Sequence, residues 1–549
     1  MPLAVIAIAA LVAGIIVSTG PGRAEHRLVT DYVNAWARGD YARMYGMLDS
    51  GSQHRISEAR FASAYKAAGS TATLEAIILG RVGSKQGDTY PVIVRARTRL
   101  FGTLRETLLV PLQGSGSSAK VRYAGTLVFP GLRRGEQLSR QTSLPPRASL
   151  LASDGTPLAE GPDRTSPIPD VASQITGRLG AIPTDEVAHY ESLGYPADAK
   201  VGLNGLERIF QQQIAGTPGG TLRAGSRVLA SRRAAAGHTV KTTIVPAIEK
   251  ASVAAMGNHY AGIAAMNPRT GAVLALAGVA FSALQPPGST MKIITATAAL
   301  QAHAVKLSTT FPVQTSATID GFNLQNANGE ACGGTFLNAF AVSCNSVFAP
   351  LGAKIGGAKL VAMAERFGFN HTFPIPGASE STIPSASQIG DALAVGSSAI
   401  GQGKVQASAL LMTDVAATIA MGGRRPIPTV QAHQKPRFVH VTSRHIAHQV
   451  EQMMIAVVQS GTGVSAQIPG VTVAGKTGTA ELRNTVQPST DPNAAPPDAA
   501  SNTDAWFVGY APVGKPKIVV GALFPAQGAG GQTAAPAVKG VLEAGLSAH

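Results

Sequence analysis

The stretch Pro286-Pro287-Gly288-Ser289-Thr290-Met291-Lys292 decides how the rest of the chain is read. Proline and glycine suit a helix entrance, whose first turn leaves backbone N–H groups free. A helix starting at Ser289 places positions i and i+3 on one face, so Lys292 stands beside the Ser289 hydroxyl. Ser-x-x-Lys is a cheap string: it recurs at Ser63–Lys66 and Ser117–Lys120. The third copy is set apart by Ser343-Cys344-Asn345, 54 residues after Ser289, and Lys476-Thr477-Gly478, a further 133 residues on. Ser-x-Asn and Lys-Thr-Gly each occur once in the chain.

These residue types fit a serine acyl-transfer site. A serine hydroxyl is a poor nucleophile until a base takes its proton. Lys292 can be that base if burial and a nearby cation lower its pKa, and Lys476 is the candidate cation. Ser343 can relay a proton between Lys292 and a leaving amine. Asn345 offers a donor and an acceptor to a substrate amide or to Lys292. Lys476-Thr477-Gly478-Thr479 reads as a sheet-edge strand after the apolar Val471–Ala474. There Gly478 leaves space for substrate backbone. Lys476 and the hydroxyls of Thr477 and Thr479 suit a terminal carboxylate. The backbone N–H groups of Ser289 and Thr479 are the expected oxyanion donors.

Other residues carry less. His445 and His448 lack a convincing carboxylate or cysteine partner and read as a solvated helix face, so no metal site is expected. Gly401-Gln402-Gly403 lacks the later glycine and preceding strand of a dinucleotide loop, and no cofactor is expected. Asp504 reads as a loop-end turn residue and Trp506 as core. Cys332 and Cys344, 12 residues apart, suit either a disulfide or two buried free thiols, the balance lying slightly toward the thiols. Oxidation at Cys344 would reach the Ser343–Asn345 string.

The 549 residues suggest several domains, and 45% hydrophobic residues rule out a disordered composition. A net charge of +15 favours anionic partners, but the basic residues are scattered pairs with no nucleic-acid module, so a nucleic-acid role is not expected. Residues 1–22 carry no charged side chain, and Leu3–Val17 is an apolar and glycine run. It is short for a span and lacks a basic n-region. It is expected to be a membrane anchor or uncleaved signal, with a buried core helix as the plain alternative.

Residues 26–65 read as amphipathic helix broken at Gly39-Asp40, and 73–129 as antiparallel strands near 76–79, 91–94, 108–110 and 121–123. Residues 130–150 read as a polar connector, followed by a mixed region that closes after Pro218-Gly219-Gly220. Strands are expected at His238–Val245 and in a hairpin, Tyr260–Met266 with Ala272–Ala277, turned at Asn267–Gly271. Mostly helical sequence runs from 289 to 460. A strand returns at 471–475, a long mobile loop is expected over Arg483–Asp504, strands at 506–510 and 518–523, and a last helix at Ala534–Leu546.

With these strings in place, residues 147–549 resemble the class B penicillin-binding proteins, the monofunctional peptidoglycan D,D-transpeptidases. The resemblance includes Asp154-Gly155, Gly205-Leu206-Glu207-Arg208, Ala265–Ala275, Pro287-Gly288-Ser289, Ile400–Gly403, Pro469-Gly470, Ala474–Glu481 and Ala505–Gly509. Residues 26–129 are similar to the nuclear-transport-factor-like extension of some members. The implied fold class is α+β and multidomain. Its C-terminal domain is a penicillin-binding/serine β-lactamase-like transpeptidase, an antiparallel sheet covered by helices plus a helical subdomain. The implied division is an anchor at 1–22, a small α+β extension at 23–132, a linker and dimerisation-like pedestal at 133–237, and the transpeptidase domain at 238–549.

The resemblance implies a single membrane anchor and an extracytoplasmic catalytic domain. It implies peptidoglycan stem peptides ending in D-Ala-D-Ala and their lipid-linked precursor as substrates, and β-lactam antibiotics as acylating agents of Ser289. It also implies a polytopic membrane glycosyltransferase as partner. The chain departs from the family where Asp504 replaces a common histidine, and where Thr242–Val245 lacks a common aspartate. A carboxypeptidase or β-lactamase-type hydrolase on the same fold is an alternative. It would need a water-activating acid, and Glu481 is the only one near the third string. A β-lactam sensor or non-catalytic scaffold is the other, against which the intact Ser289, Lys292, Ser343, Asn345 and Lys476 speak.

Overall fold

A computed structural model describes residues 22–481 and 502–548. The chain forms two compact units. One comprises the N-terminal part to Pro145 with Ala181–Lys200 and Gly216–Ala236; the other comprises Pro146–Gly180, Val201–Ala215 and the chain from Gly237. The mixed region between 145 and 237 is therefore shared between both.

In the first unit, helices α1 (Arg23–Ala37), α2 (Tyr41–Gly46), α3 (Ser50–Arg55) and α4 (Glu58–Ala72) precede an antiparallel meander of β1 (Leu74–Val82), β2 (Thr89–Thr98), β3 (Gly102–Gln113) and β4 (Lys120–Val121). The expected break at Gly39-Asp40 is present, with Gly39 at φ +69°. Two further breaks divide the run, because Asp49 and Ser57 each accept a hydrogen bond from a first-turn N–H and start new helices. The aromatic faces of these helices meet the inward residues of the sheet, among them Tyr32, Trp36, Phe61, Tyr65, Val92, Val94 and Val110.

Two readings are corrected in this unit. Part of the expected connector is a strand, β5 (Leu138–Ser143), and Gly219-Gly220 begins β6 (Gly219–Ala224), which pairs with β5 and with β7 (Arg227–Arg232). The glycines are there for close strand approach: a Cβ on Gly220 would lie 2.4 Å from the Gln141 carbonyl oxygen.

The second unit is built on a five-stranded antiparallel sheet. Its strands are β8 (Gly262–Met266), β9 (Val273–Gly278), β10 (Ala474–Glu481), β11 (Thr503–Ala511) and β12 (Ile518–Phe524), in the order β9-β8-β12-β11-β10. The hairpin turned at Asn267–Gly271 forms as expected, and β10 is an edge strand. The expected strand at His238–Val245 shortens to Val240–Lys241, because Pro246 opens helix α5 (Pro246–Met256). The segment 482–501, which holds most of the expected mobile loop, and the expected anchor lie outside the described residues.

One face of the sheet is covered by α5 and the last helix; against the other lie α8 (Ala409–Ala420) and α9 (Arg444–Ser460), on which α6 (Lys292–Gln301) packs, with α7 (Asn345–Ile355) against α6 in turn. The last helix, α10 (Ala534–Ser547), matches the expected C-terminal one. Helix α6 is buried from Lys292 to Leu300, which explains its apolar, small-residue sequence on every face. Among the described residues no single helix is long and apolar enough to cross a membrane.

Candidate active site

The expected helix start at Ser289 is a 3-10 turn, Gly288–Met291, that continues into α6 at Lys292. Residues i and i+3 eclipse in such a turn, which stacks Lys292 directly beside Ser289. The turn is entered through Gly288 at φ +52°, whose N–H donates to the Gly401 carbonyl at 3.0 Å. Gly401 also has positive φ, and a Cβ there would fall 2.0 Å from the Gly288 oxygen. Gly401-Gln402-Gly403 is thus a backbone cradle for the Ser289 turn, a use that local sequence does not signal.

Three strings spread over almost 190 residues converge on one cluster, the first two on the Lys292 amine and the third on the Ser343 hydroxyl. Lys292 Nζ donates to Ser289 Oγ at 2.9 Å, to Asn345 Oδ1 at 2.7 Å and to the Ser343 carbonyl at 2.7 Å. Ser343 Oγ lies 3.3 Å from Lys292 Nζ and 2.9 Å from Lys476 Nζ, so one hydroxyl bridges both amines. Ser343 has φ +63°, a costly conformation for a residue with a Cβ. Asn345 Nδ2 donates to the Gln325 carbonyl at 3.3 Å.

Both lysines are fully buried. Burial, and then the adjacent Lys476 charge, hold the Lys292 amine well below the usual lysine range. Burial pushes Lys476 down to about 7. Among the described residues neither is paired with a carboxylate, and each amine instead faces a benzene ring. Lys292 Nζ is 5.6 Å from the Phe348 centroid, and Lys476 Nζ 5.5 Å from that of Phe340. Nothing in the local sequence marks these two rings as partners of the lysines.

Lys476 lies on the edge strand β10, as expected, and Gly478 lies there too. The space at Gly478 is taken up by the protein itself: a Cβ there would meet Trp506 Cβ at 2.8 Å and the Pro287 oxygen at 2.9 Å. That absence of a side chain lets the Ser289 turn lie against β10. Thr477 is buried, with its hydroxyl hydrogen-bonded to that of Thr462, whereas Thr479 is half-buried and accepts from Gly530 N–H at 3.3 Å. Ser289, Ser343, Asn345 and Thr479 are the partly exposed members of the cluster.

The Cys332–Cys344 disulfide is formed, with Cα atoms 5.8 Å apart, which corrects the leaning toward free thiols. Sequence spacing cannot show that Cys332–Thr335, a strand paired with Thr310–Gln314, returns to the start of α7. Asp504 is likewise no loop-end residue: it is buried on β11, accepts from Ala526 N–H at 2.9 Å, and burial raises its carboxyl to about 6. Trp506 is core, as expected. His448 does have a carboxylate near, Glu451 at 3.2 Å on the same exposed helix face. Among the described residues no group of three or more metal-ligating side chains could hold a metal ion.

Known proteins bear on this geometry. Residues 261–543 match the penicillin-binding protein transpeptidase domain, 136–239 the penicillin-binding protein dimerisation domain, and 24–136 an NTF2-like N-terminal transpeptidase domain. The chain is 31% identical over 453 residues to the peptidoglycan D,D-transpeptidase PbpA of Mycolicibacterium smegmatis, covering 70% of this chain and 84% of that protein. It is 29% identical over 452 residues to PbpA of Mycobacterium tuberculosis, with the same coverage.

Among solved structures, the D,D-transpeptidase domain of a peptidoglycan glycosyltransferase from Eggerthella lenta superposes with a TM-score of 0.59 at 27% identity, over 73% of this chain and 98% of that one. The penicillin G acyl-enzyme complex of M. tuberculosis penicillin-binding protein A gives 0.57 at 26% identity, over 73% and 99%. With the transpeptidase match spanning more than half of its length, the chain belongs to the penicillin-binding protein family, as a three-part member with dimerisation and NTF2-like domains ahead of its transpeptidase domain.

Proposed function

We infer that the chain is a serine-type peptidoglycan D,D-transpeptidase, cross-linking stem peptides through an acyl-enzyme that β-lactams also form, with Ser289 as the nucleophile. The observation that carries the residue assignment is the hydroxyl of Ser343 held between two buried, carboxylate-free lysines. Burial and a neighbouring cation lower the pKa of a lysine and so favour its neutral form, the form that can accept a proton.

Lys292 takes the proton of Ser289 Oγ, 2.9 Å away, as Oγ bonds to the carbonyl carbon of the penultimate D-Ala. The tetrahedral intermediate collapses with cleavage of the C–N bond, and Ser343 passes a proton to the departing D-Ala amine. An acceptor amine then attacks the ester carbonyl, the C–Oγ bond breaks, and Ser289 recovers its proton. Asn345 orients Lys292. Lys476 and Thr479 are the groups assigned to the substrate carboxylate, with Thr477 and Gly478 supporting them from inside the fold. The Ser289 and Thr479 N–H groups are assigned to the oxyanion; the turn and the strand approach so closely that a Cβ on Gly288 would meet the Thr479 oxygen at 2.8 Å.

We also propose an N-terminal membrane anchor at 1–22, the division 23–132, 133–237 and 238–549, and a polytopic membrane glycosyltransferase as partner. These rest on the family resemblance. Fluorescent penicillin tests the core of the assignment: wild type should label covalently and stoichiometrically, and Ser289→Ala should not. Labelling of Ser289→Ala would remove the nucleophile. Loss of label within seconds would make the chain a hydrolase, and a wild type that never labels would make it a scaffold.

A further inference from the structure

Helix α7 begins with Asn345, the residue that holds Lys292, yet it lacks a cap of its own. Its N-cap is Cys344, which makes no side-chain cap hydrogen bond because its sulfur is committed to Cys332. A helix start normally needs a side-chain oxygen for the second or third N–H. Here that oxygen comes from elsewhere: Asn326 Oδ1 accepts from Ser346 N–H at 2.7 Å. Asn326 is buried, 5% exposed, and its amide nitrogen donates to the Gln314 carbonyl at 2.8 Å and the Glu330 carbonyl at 2.9 Å. Its own N–H and carbonyl are bonded to Thr315 and Gly329.

Asn326 therefore ties three stretches of the 310–335 segment to the first turn of α7. Its neighbour Gln325 accepts from Asn345, and Cys332 makes the covalent tie one residue before Asn345. On the other side of the string, Ser343 N–H is held by the Phe340 carbonyl at 3.1 Å and Cys344 N–H by the Ala339 carbonyl at 2.8 Å. The left-handed Ser343 persists because the turn is fixed from both ends.

We infer that Asn326 is a positioning residue for acylation, capping from across the fold the helix that begins at Asn345. Without its oxygen, Ser346 N–H is buried and unpaired, the first turn of α7 frays, and both Ser343 and Asn345 lose their registration on Lys292. A displacement near 1 Å in such a constellation costs about 100-fold in rate. The inference rests on Ser289 being the acylated residue.

The test is the time course of fluorescent-penicillin labelling of the full-length protein in detergent micelles, for wild type, Ser289→Ala, Asn326→Ala and Asn326→Asp. Asn326→Ala should label about 10- to 100-fold more slowly, with the final stoichiometry close to wild type. Asn326→Asp is compared with wild type at about pH 5, where a buried carboxyl facing the Gln314 and Glu330 carbonyls keeps its proton; it then retains the acceptor for Ser346 N–H and one donor, and should stay within about threefold of wild type. An unchanged rate in Asn326→Ala overturns the inference. So does a loss seen only as lower final stoichiometry, or an Asn326→Asp as slow as Asn326→Ala. If Ser289→Ala labels like wild type, the nucleophile assignment falls first and this inference with it.

Discussion

Glu25 of the N-terminal unit and the two lysines of the catalytic cluster are buried in opposite ways. In the N-terminal unit Glu25 is buried, but it meets Lys85 Nζ at 2.7 Å, the Tyr90 hydroxyl at 3.0 Å and Gly116 N–H at 2.9 Å. The Lys85 bond, then the Gly116 bond, hold its carboxyl below the usual range, so the charged form is the favoured one. The buried Tyr32 and Tyr65 hydroxyls likewise satisfy each other at 2.7 Å. In the C-terminal unit Lys292 and Lys476 are buried side by side with neutral oxygens and ring faces, and both pKa values fall. Glu249, beneath β9, has one oxygen bonded to Leu276 N–H and the other unpaired, and burial raises it to about 8. The first arrangement stabilises a fold. The second destabilises its unit and shifts a lysine toward its neutral form, the state a base needs.

The contrast can be broken most directly at Lys292. Lys292→Met should slow penicillin acylation by about 10³-fold or more while raising the thermal midpoint, since a buried polar amine is replaced by an apolar side chain of similar length. A falling midpoint in differential scanning calorimetry would place Lys292 with the stabilising groups instead.

Lys476 sharpens the same point through pH. Its amine is charged in the unfolded chain up to about 10.5 but only up to about 7 in the folded one. The burial cost is therefore full below pH 7 and disappears as pH rises toward 10.5. Lys476→Met should be more stable than wild type by about 3 kcal/mol at pH 6, and the gap should close by pH 10, as measured by urea unfolding across pH.

Glu249 should show the opposite window. The unfolded carboxyl ionises near 4.5 while the folded one stays protonated to about 8, so the cost appears above pH 4.5 and is complete above pH 8. Glu249→Gln keeps the acceptor for Leu276 N–H and should gain up to about 3 kcal/mol by pH 8 and nothing at pH 4. A gain independent of pH would remove titration as its cause.

The smallest effect is expected at Glu25, whose stabilisation is present above pH 4.5 and lost as pH falls through its lowered folded value. Glu25→Gln should cost about 1–2 kcal/mol at pH 7, with the acylation rate unchanged. A slower rate would mean that this group does more than hold its own unit together.

Much of this was legible in the chain. The hairpin at 262–278 announced itself by its turn residues, the edge position of Lys476–Thr479 by an apolar approach, and the pairing of Ser289 with Lys292 by helical spacing. The misreadings share a cause. Gly219-Gly220 was read as the close of a mixed region because glycine's local preference hides the strand partner that demands it. Asp504 looked like a turn residue because its partner, Ala526, is 22 positions away. Gly478 was assigned room for a substrate, yet Trp506 and Pro287 occupy that room.

By itself the sequence determined the chemical inventory: a serine, two lysines, a second serine and an asparagine in strings too specific in combination to be accidental. It also determined the periodicities that make helices and an antiparallel sheet. These are local properties, set by residue type and spacing of a few positions. Only the tertiary structure decided that Ser343 bridges both lysines, that Phe340 and Phe348 lie beneath their charges, that Cys332 closes on Cys344, and that Asn326 caps a helix it does not belong to. Burial and hydrogen-bond completion depend on segments brought together from far along the chain, and it is burial that lowers the pKa of a lysine.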